Sequence, residues 1–168
     1  SGNFLFLPCP DTYESLPKKV FYALHFIYKH YDFEHVYKVD DDAYVNCVYF
    51  MYLEKLLKNI DYMGRTKTIG PDFNRFWHRG KCSSNHLNNI PYPANRINLG
   101  TIYARGEAGY FLSKKAIKSL IPYEQFIISD LYEDKVIGDC LNKEGIIPQD
   151  NPLYKTKLYE NFDQGRYL

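Results

Sequence analysis

The sequence predicts an α/β domain: a mixed, mostly parallel sheet flanked by helices. Three observations lead there. Short runs rich in β-branched and aromatic residues alternate with segments whose apolar residues recur at helical spacing. One of these runs, Val36-Tyr37-Lys38-Val39, ends in three adjacent carboxylates, Asp40, Asp41 and Asp42. Strand, helix and strand also fit between Phe4 and Asp40, the spacing of a βαβ unit with a parallel pair.

The elements follow in order. Phe4-Leu5-Phe6-Leu7 reads as a buried strand that Pro8 and Pro10 end. Ser15 is placed to cap a helix with Pro17 in its first turn, where a missing N–H does no harm. Val20, Leu24, Ile27 and Tyr31 continue that helix to about His30 at amphipathic spacing. The strand before Asp40 comes next. Asn46 is a good N-cap for a second helix to about Lys58, with Val48, Met51, Leu53 and Leu56 apolar. Tyr62-Met63-Gly64 looks like a short strand. Residues from Arg65 to Pro93 are polar and weakly periodic, a loop or irregular hairpin of the length that often carries function.

Asn98 to Tyr103 is again β-prone. Gly106 and Gly109 then suggest close backbone approach or positive φ, without the pattern of a dinucleotide fingerprint. Ser113 caps a helix through Ala116, Ile117 and Leu120 that Pro122 stops. Asp130 is placed to cap the last clear helix, with Glu133 completing a box. Val136, Ile137, Cys140 and Leu141 form its buried stripe, Gly145 suits the C′ position, and Ile146-Ile147 before Pro148 suggests a final strand.

At 168 residues the chain is long enough for one real core and is expected to be a single domain, residues 1–168. Its formal net charge is +1 with Lys and Arg scattered, so nucleic acid is not the favoured partner. No apolar run approaches membrane-spanning length. Cys9, Cys47, Cys82 and Cys140 form no C-x-x-C pair, which argues against zinc and leaves disulfides and free thiols both open. The abundance of Tyr suits sugar contact, and an AT-rich genome explains it equally well. Nothing in the chain directs it to a compartment, and nothing in it sets an oligomeric state.

Alternate residues at a strand end point the same way, so Asp40 and Asp42 would share a face and hold a hard divalent ion. The competing reading is a solvated acidic turn, which the apolar residues on both sides oppose. Glu133 and Asp134 sit in a helix's first turn, where the dipole favours anions. Simple helix-end electrostatics accounts for that pair. In the functional reading one of them is a general base, taking a proton from a hydroxyl while a metal at the triplet neutralises a phosphate leaving group. Trp77 either pins the polar loop or stacks on a sugar. His25 and His30, five apart, form no ligand set; His78 and His86 lie on the loop within possible reach of the site.

Four ordered segments carry a family resemblance. They are Asp11-Thr12-Tyr13-Glu14-Ser15-Leu16-Pro17-Lys18-Lys19, Lys38 to Asn46 around the acidic triplet, Gly106-Glu107-Ala108-Gly109-Tyr110-Phe111-Leu112-Ser113, and Glu133-Asp134-Lys135-Val136-Ile137-Gly138-Asp139-Cys140-Leu141 with Gly145-Ile146. The set resembles the inverting β-1,3-glycosyltransferases of the GT-A fold, the galactosyltransferase, fringe and core-1-synthase group. The resemblance implies a UDP-sugar donor, a glycan or glycoprotein acceptor, and Mn2+ or Mg2+. It implies Asp42 as principal metal ligand, Asp40 at the ribose or a metal-bound water, and Asp41 in support. It implies Asp134 as catalytic base with Glu133 beside it, and Gly106 to Tyr110, including Gly109, along the acceptor side. Arg105 and Glu107 are expected to meet sugar hydroxyls.

Two departures from the pattern shape the expectation. The family's opening βαβ region, which holds the nucleotide, has no counterpart before Ser1, so the domain is expected to be incomplete or minimal. The family's C-terminal Phe-His ligand pair is also missing; Tyr159-Glu160 falls in its place, and Glu160 is the expected substitute ligand. The competing function is a catalytically inactive relic that binds glycans or a partner chain. A phosphotransfer or hydrolytic enzyme is disfavoured, because no phosphate-cradling glycine loop with lysine is present.

Overall fold

The computed structural model describes residues 4–43, 45, 53 and 55–151. The long helix α1 spans Leu16–His30 and starts with Pro17 in its first turn. It buries Pro17, Val20, Phe21 and Leu24, one face at helical spacing. Ser15 precedes it without a side-chain cap; its hydroxyl oxygen accepts from Thr12 Oγ1 at 3.0 Å instead.

Among the described residues six strands follow: β1 His35–Lys38, β2 Tyr62–Gly64, β3 Thr66–Thr68, β4 Ile102–Ala104, β5 Tyr110–Ser113 and β6 Gln149–Asp150. Four form a mixed sheet in the order β1-β5-β2-β6, and β3 pairs with β4 in a separate antiparallel ribbon. The mixed α/β architecture is the one expected; the balance of directions needs correction. Both partners of β5 are antiparallel to it, and only β2 with β6 is parallel among the described strands. The reason lies at Phe4–Leu7, which forms no strand: Phe4 and Phe6 are 83% and 92% exposed. Among the described residues β1 therefore pairs with β5 alone, at the edge of the sheet, and the parallel pair expected from the first βαβ unit is absent there.

Strand β5 explains why its sequence is apolar without alternation. Tyr110 and Leu112 face a core made with α1 and with three later helices. Phe111 faces the other way, onto Leu53, Leu57 and Met63. A strand covered on both faces favours apolar residues throughout, and the one polar residue, Ser113, stands at its end where the next helix begins. Residues 53 and 55–57 are helical, which agrees with the second helix expected there; Asn46, Val48 and Met51 lie outside the described residues.

The remaining helices are α2 Asn85–Asn89, α3 Lys114–Leu120, α4 Glu124–Ile128 and α5 Glu133–Lys143. Ser113 caps α3 as expected, its Oγ accepting the Ala116 N–H at 3.0 Å. At the end of α5, Gly145 adopts φ 73°. Its N–H reaches the Asn142 carbonyl at 3.0 Å, and that of Ile146 reaches Leu141 at 2.9 Å, a Schellman closure. The last strand falls just after the Ile146-Ile147 pair, at β6.

Asp130 does not cap α5. That helix begins at Glu133 with Tyr132 at its N-cap and no side-chain cap. The Asp130 carboxylate is buried, and it accepts from Tyr92 OH, Arg96 Nη1 and the Leu131 and Tyr132 amides. It is thus the polar anchor of the stretch from Arg65 to Pro93, expected as a loop or irregular hairpin, which contains β3 and α2. His78 anchors the same segment: its Nε2 lies 3.0 and 3.1 Å from the Leu87 and Ile90 carbonyls, and Nδ1 lies 2.7 Å from Tyr132 OH. Two carbonyls require a hydrogen on Nε2, so in the neutral ring Nδ1 accepts the tyrosine proton. His78 is therefore a satisfied interior histidine. Cys9, Cys82 and Cys140 are free thiols. No helix among the described residues is long and apolar enough to cross a membrane.

Candidate active site

The site forms where the end of β1, the turn before β5 and the first turn of α5 converge. β1 ends at Lys38, and the acidic triplet follows in a turn closed by the Ala43 N–H on the Asp40 carbonyl at 3.2 Å. Asp41 and Asp42 are exposed, and Asp40 is partly so. Lys38 closes β1 and Asp40 opens the turn two residues on, and their side chains meet. The Lys38 ammonium meets Asp40 Oδ1 at 2.5 Å and Glu133 Oε2 at 3.4 Å.

Glu133 is 4% exposed. Its other oxygen accepts the Tyr110 hydroxyl. Burial pushes the Glu133 carboxyl up to about 7, against the pull of Lys38, while Asp134 next door pushes the same way as burial. Burial works to lower Lys38, but Glu133 and Asp40 outweigh it and hold the ammonium above its ordinary value. Asp134 is partly buried. Its Oδ2 accepts the Gly106 N–H at 2.9 Å and its Oδ1 the Lys135 N–H at 2.7 Å. Burial raises its pKa, and the two amides and Lys38 only partly offset that. A carboxylate with a raised pKa, fixed by backbone donors, is a competent proton acceptor.

The glycines make the convergence possible. A Cβ at Gly106 would stand 3.1 Å from Glu133 Oε2 and 3.4 Å from Lys38 Nζ. Gly109 has φ +71°, and a Cβ there would lie 2.4 Å from Tyr37 OH. These two positions, with Tyr110, were expected along the acceptor side. Tyr110 instead is wholly in the core at 0% exposure, and Gly109 is closed off by the Tyr37 ring. Both reach the site only through what they support: Tyr110 holds Glu133, and Gly109 turns the chain into β5.

Arg105 and Glu107 pair with each other at 2.5 Å, with side chains 29% and 51% exposed. Glu107 is near enough to Asp134 to act on its charge. Trp77 is 56% exposed, and Lys81 sits 4.0 Å over its ring. Glu14 reaches across to Ser83, tying the first turn of the chain to this loop. Tyr13, beside it, has its hydroxyl pKa raised by burial first, with Tyr132, Asp134 and Glu133 pushing the same way. Glu160 lies outside the described residues.

Among the described residues no group of three or more His, Cys, Asp or Glu side chains encloses a metal position. The donor chemistry of the triplet nevertheless fits a hard divalent ion. Magnesium-type sites use one or two carboxylates, with waters and substrate phosphates completing the shell, and Asp41 and Asp42 are exposed carboxylates with no side-chain partner among the described residues.

Sequence reasoning missed Lys38 as a member of the site, although its alternation with Asp40 was a readable signal. It also missed Tyr62, whose hydroxyl oxygen accepts the Ala104 N–H at 2.8 Å and whose ring meets Tyr110 edge-on at 5.8 Å. Nothing in the local sequence marks that contact, which spans two strands of different sheets.

The mixed sheet flanked by helices is that of a GT-A-like domain, and in it Lys38 joins the acidic turn to the carboxylate pair that opens α5. The model of the galactosyltransferase family matches residues 2–152, so the chain belongs to the galactosyltransferase family. Membership carries glycosyl transfer from a sugar donor to a glycan acceptor. A search of curated proteins returns no match.

Proposed function

We propose that the chain moves a sugar from a UDP-sugar to a hydroxyl of a glycan or glycosylated acceptor, with inversion, in the manner of a β-1,3-glycosyltransferase. The observation that carries this is Asp134: a carboxylate of raised pKa on the first turn of α5, held by two backbone amides beside the Lys38–Asp40 pair. Asp134 takes the proton of the acceptor hydroxyl. The freed oxygen bonds to the anomeric carbon, on the face opposite the diphosphate, and the bond to the diphosphate oxygen breaks. UDP leaves with the electron pair. Asp42 and Asp40 are the residues that would hold Mn2+ or Mg2+, with Asp41 in support and Glu160 as a further ligand. Such an ion neutralises charge on the departing diphosphate. Glu133 keeps the base's turn in place from the interior, and Arg105, Glu107 and Trp77 are the polar and aromatic groups on hand for acceptor hydroxyls.

The test starts with binding. UDP is titrated into the protein with and without Mn2+, alongside Asp42→Ala. The expected result is Mn2+-dependent binding that the substitution abolishes. Transfer is then assayed over a panel of UDP-sugars, where Asp134→Asn is expected to lower kcat by about 10²–10⁴-fold, the usual worth of a positioned general base. No UDP binding under any condition would remove the donor half of this reading and leave a glycan- or protein-binding module.

A further inference from the structure

Glu133 is buried, and an uncompensated buried carboxylate is expensive. Its cation is Lys38, whose side chain is only 10% exposed. That ammonium does not serve Glu133 alone. It stands closer to Asp40, at 2.5 Å, than to Glu133, at 3.4 Å. The missing side chain at Gly106 keeps the space open, and the Tyr110 ring flanks the ammonium at 5.8 Å.

Among the described residues little else holds the triplet. Asp41 and Asp42 are exposed and make no side-chain hydrogen bond or ion pair with a described residue, and Lys38 is the described side chain that grips Asp40. On the far side, Glu133 is the first residue of α5, the helix that carries Asp134. One ammonium thus joins the donor-side turn to the helix of the base.

From this juxtaposition we infer that Lys38 is a positioning residue that couples the two halves of the site. It registers Asp40 against the first turn of α5. A divalent cation arriving at the triplet competes with it for Asp40 and leaves it to Glu133. The inference rests on the reading of the triplet as the donor site.

Mn2+ alone is titrated into the wild type, Lys38→Met, Lys38→Arg, Glu133→Gln and the Lys38→Met/Glu133→Gln double variant, and each is unfolded in urea. Methionine keeps the apolar stem and removes the charge. Lys38→Met is expected to take Mn2+ at least about tenfold more tightly, because one charge a few ångströms from a divalent ion repels it by that much even in near-aqueous surroundings. Lys38→Arg is expected to stay near the wild-type affinity. Transfer by Lys38→Met is expected to fall at least about tenfold despite the tighter metal, from the misplacement of the base. A merely structural lysine would weaken metal binding and stability together. In urea, Lys38→Met is expected to lose more stability in the wild type than in the Glu133→Gln background, where no buried charge is left bare.

Unchanged or weaker Mn2+ binding by a folded Lys38→Met overturns the inference and leaves the proposed function standing. If the wild type takes up no Mn2+ and no UDP, the donor-site reading fails. The urea series then decides on the Lys38–Glu133 tie by itself, and additive losses there overturn it.

Discussion

Gly138 offers the sharpest prediction about how the fold holds the site. It lies in the middle of α5, where alanine is ordinarily worth about 1 kcal/mol over glycine. Here a Cβ would stand 2.3 Å from Tyr103 Cβ and 3.0 Å from Tyr103 Cα. Neither atom is the tip of a flexible side chain, so relief requires α5 to move off β4. Overpacking of this kind costs about 1–3 kcal/mol. Contact with strand backbone argues for the upper end, and the helix gain returns about 1 kcal/mol, so Gly138→Ala should lose about 2 kcal/mol. For a chain of this size that is a Tm lower by about 4–8 °C. Asp134 sits one turn earlier on the same face of α5, so transfer should fall even where the variant is fully folded. Thermal and urea unfolding check the stability; kcat at a temperature well below both Tm values checks the site. A Gly138→Ala protein as stable as the wild type, or more so, would refute the claim that α5 and β4 touch through this glycine.

Two further outcomes follow from the buried carboxylates. Asp130→Ala strips four donors of their acceptor and leaves Arg96 without its carboxylate, so it should cost about 3–5 kcal/mol, and limited proteolysis should cut first in the 65–97 segment. Glu133 carries a carboxyl raised from 4.5 to about 7, so the native state keeps a proton that the unfolded chain has lost. Its contribution therefore falls as pH rises from about 4.5 to about 7, by roughly 3 kcal/mol, and stays flat outside that window. Glu133→Gln should remove that decline from the urea midpoints; an unaltered pH profile would show that Glu133 does not titrate there.

Much of the candidate site was legible because its chemistry is local. The acidic triplet and the Glu133-Asp134 pair are contiguous, each placed by one element end, and the order of the motifs survived into the fold. Gly145 and Ser113 behave as their residue types dictate, since capping is settled within a few residues. Asp130 shows where that logic stops. As a cap it was plausible, but the half-buried Arg96 and the buried Tyr92 on a distant segment offered its carboxylate stronger partners, and tertiary contact overrode local preference. His78 went the same way, into the interior instead of toward the site.

The sequence by itself determined the family, the α/β class, the boundaries of α1 and α5 to within a few residues, and the carboxylates of the candidate site. These follow from periodicity, caps and contiguous motifs, whose physics acts over a few residues. Only the tertiary structure decided the strand directions, the withdrawal of Tyr110 into the core and the use of Lys38 as the link between Asp40 and Glu133. Pairing partners and shared counter-ions are chosen between segments that meet only on folding. The choice rests on which surfaces must be buried and which buried charges must be neutralised, and neither is written within a single stretch of chain.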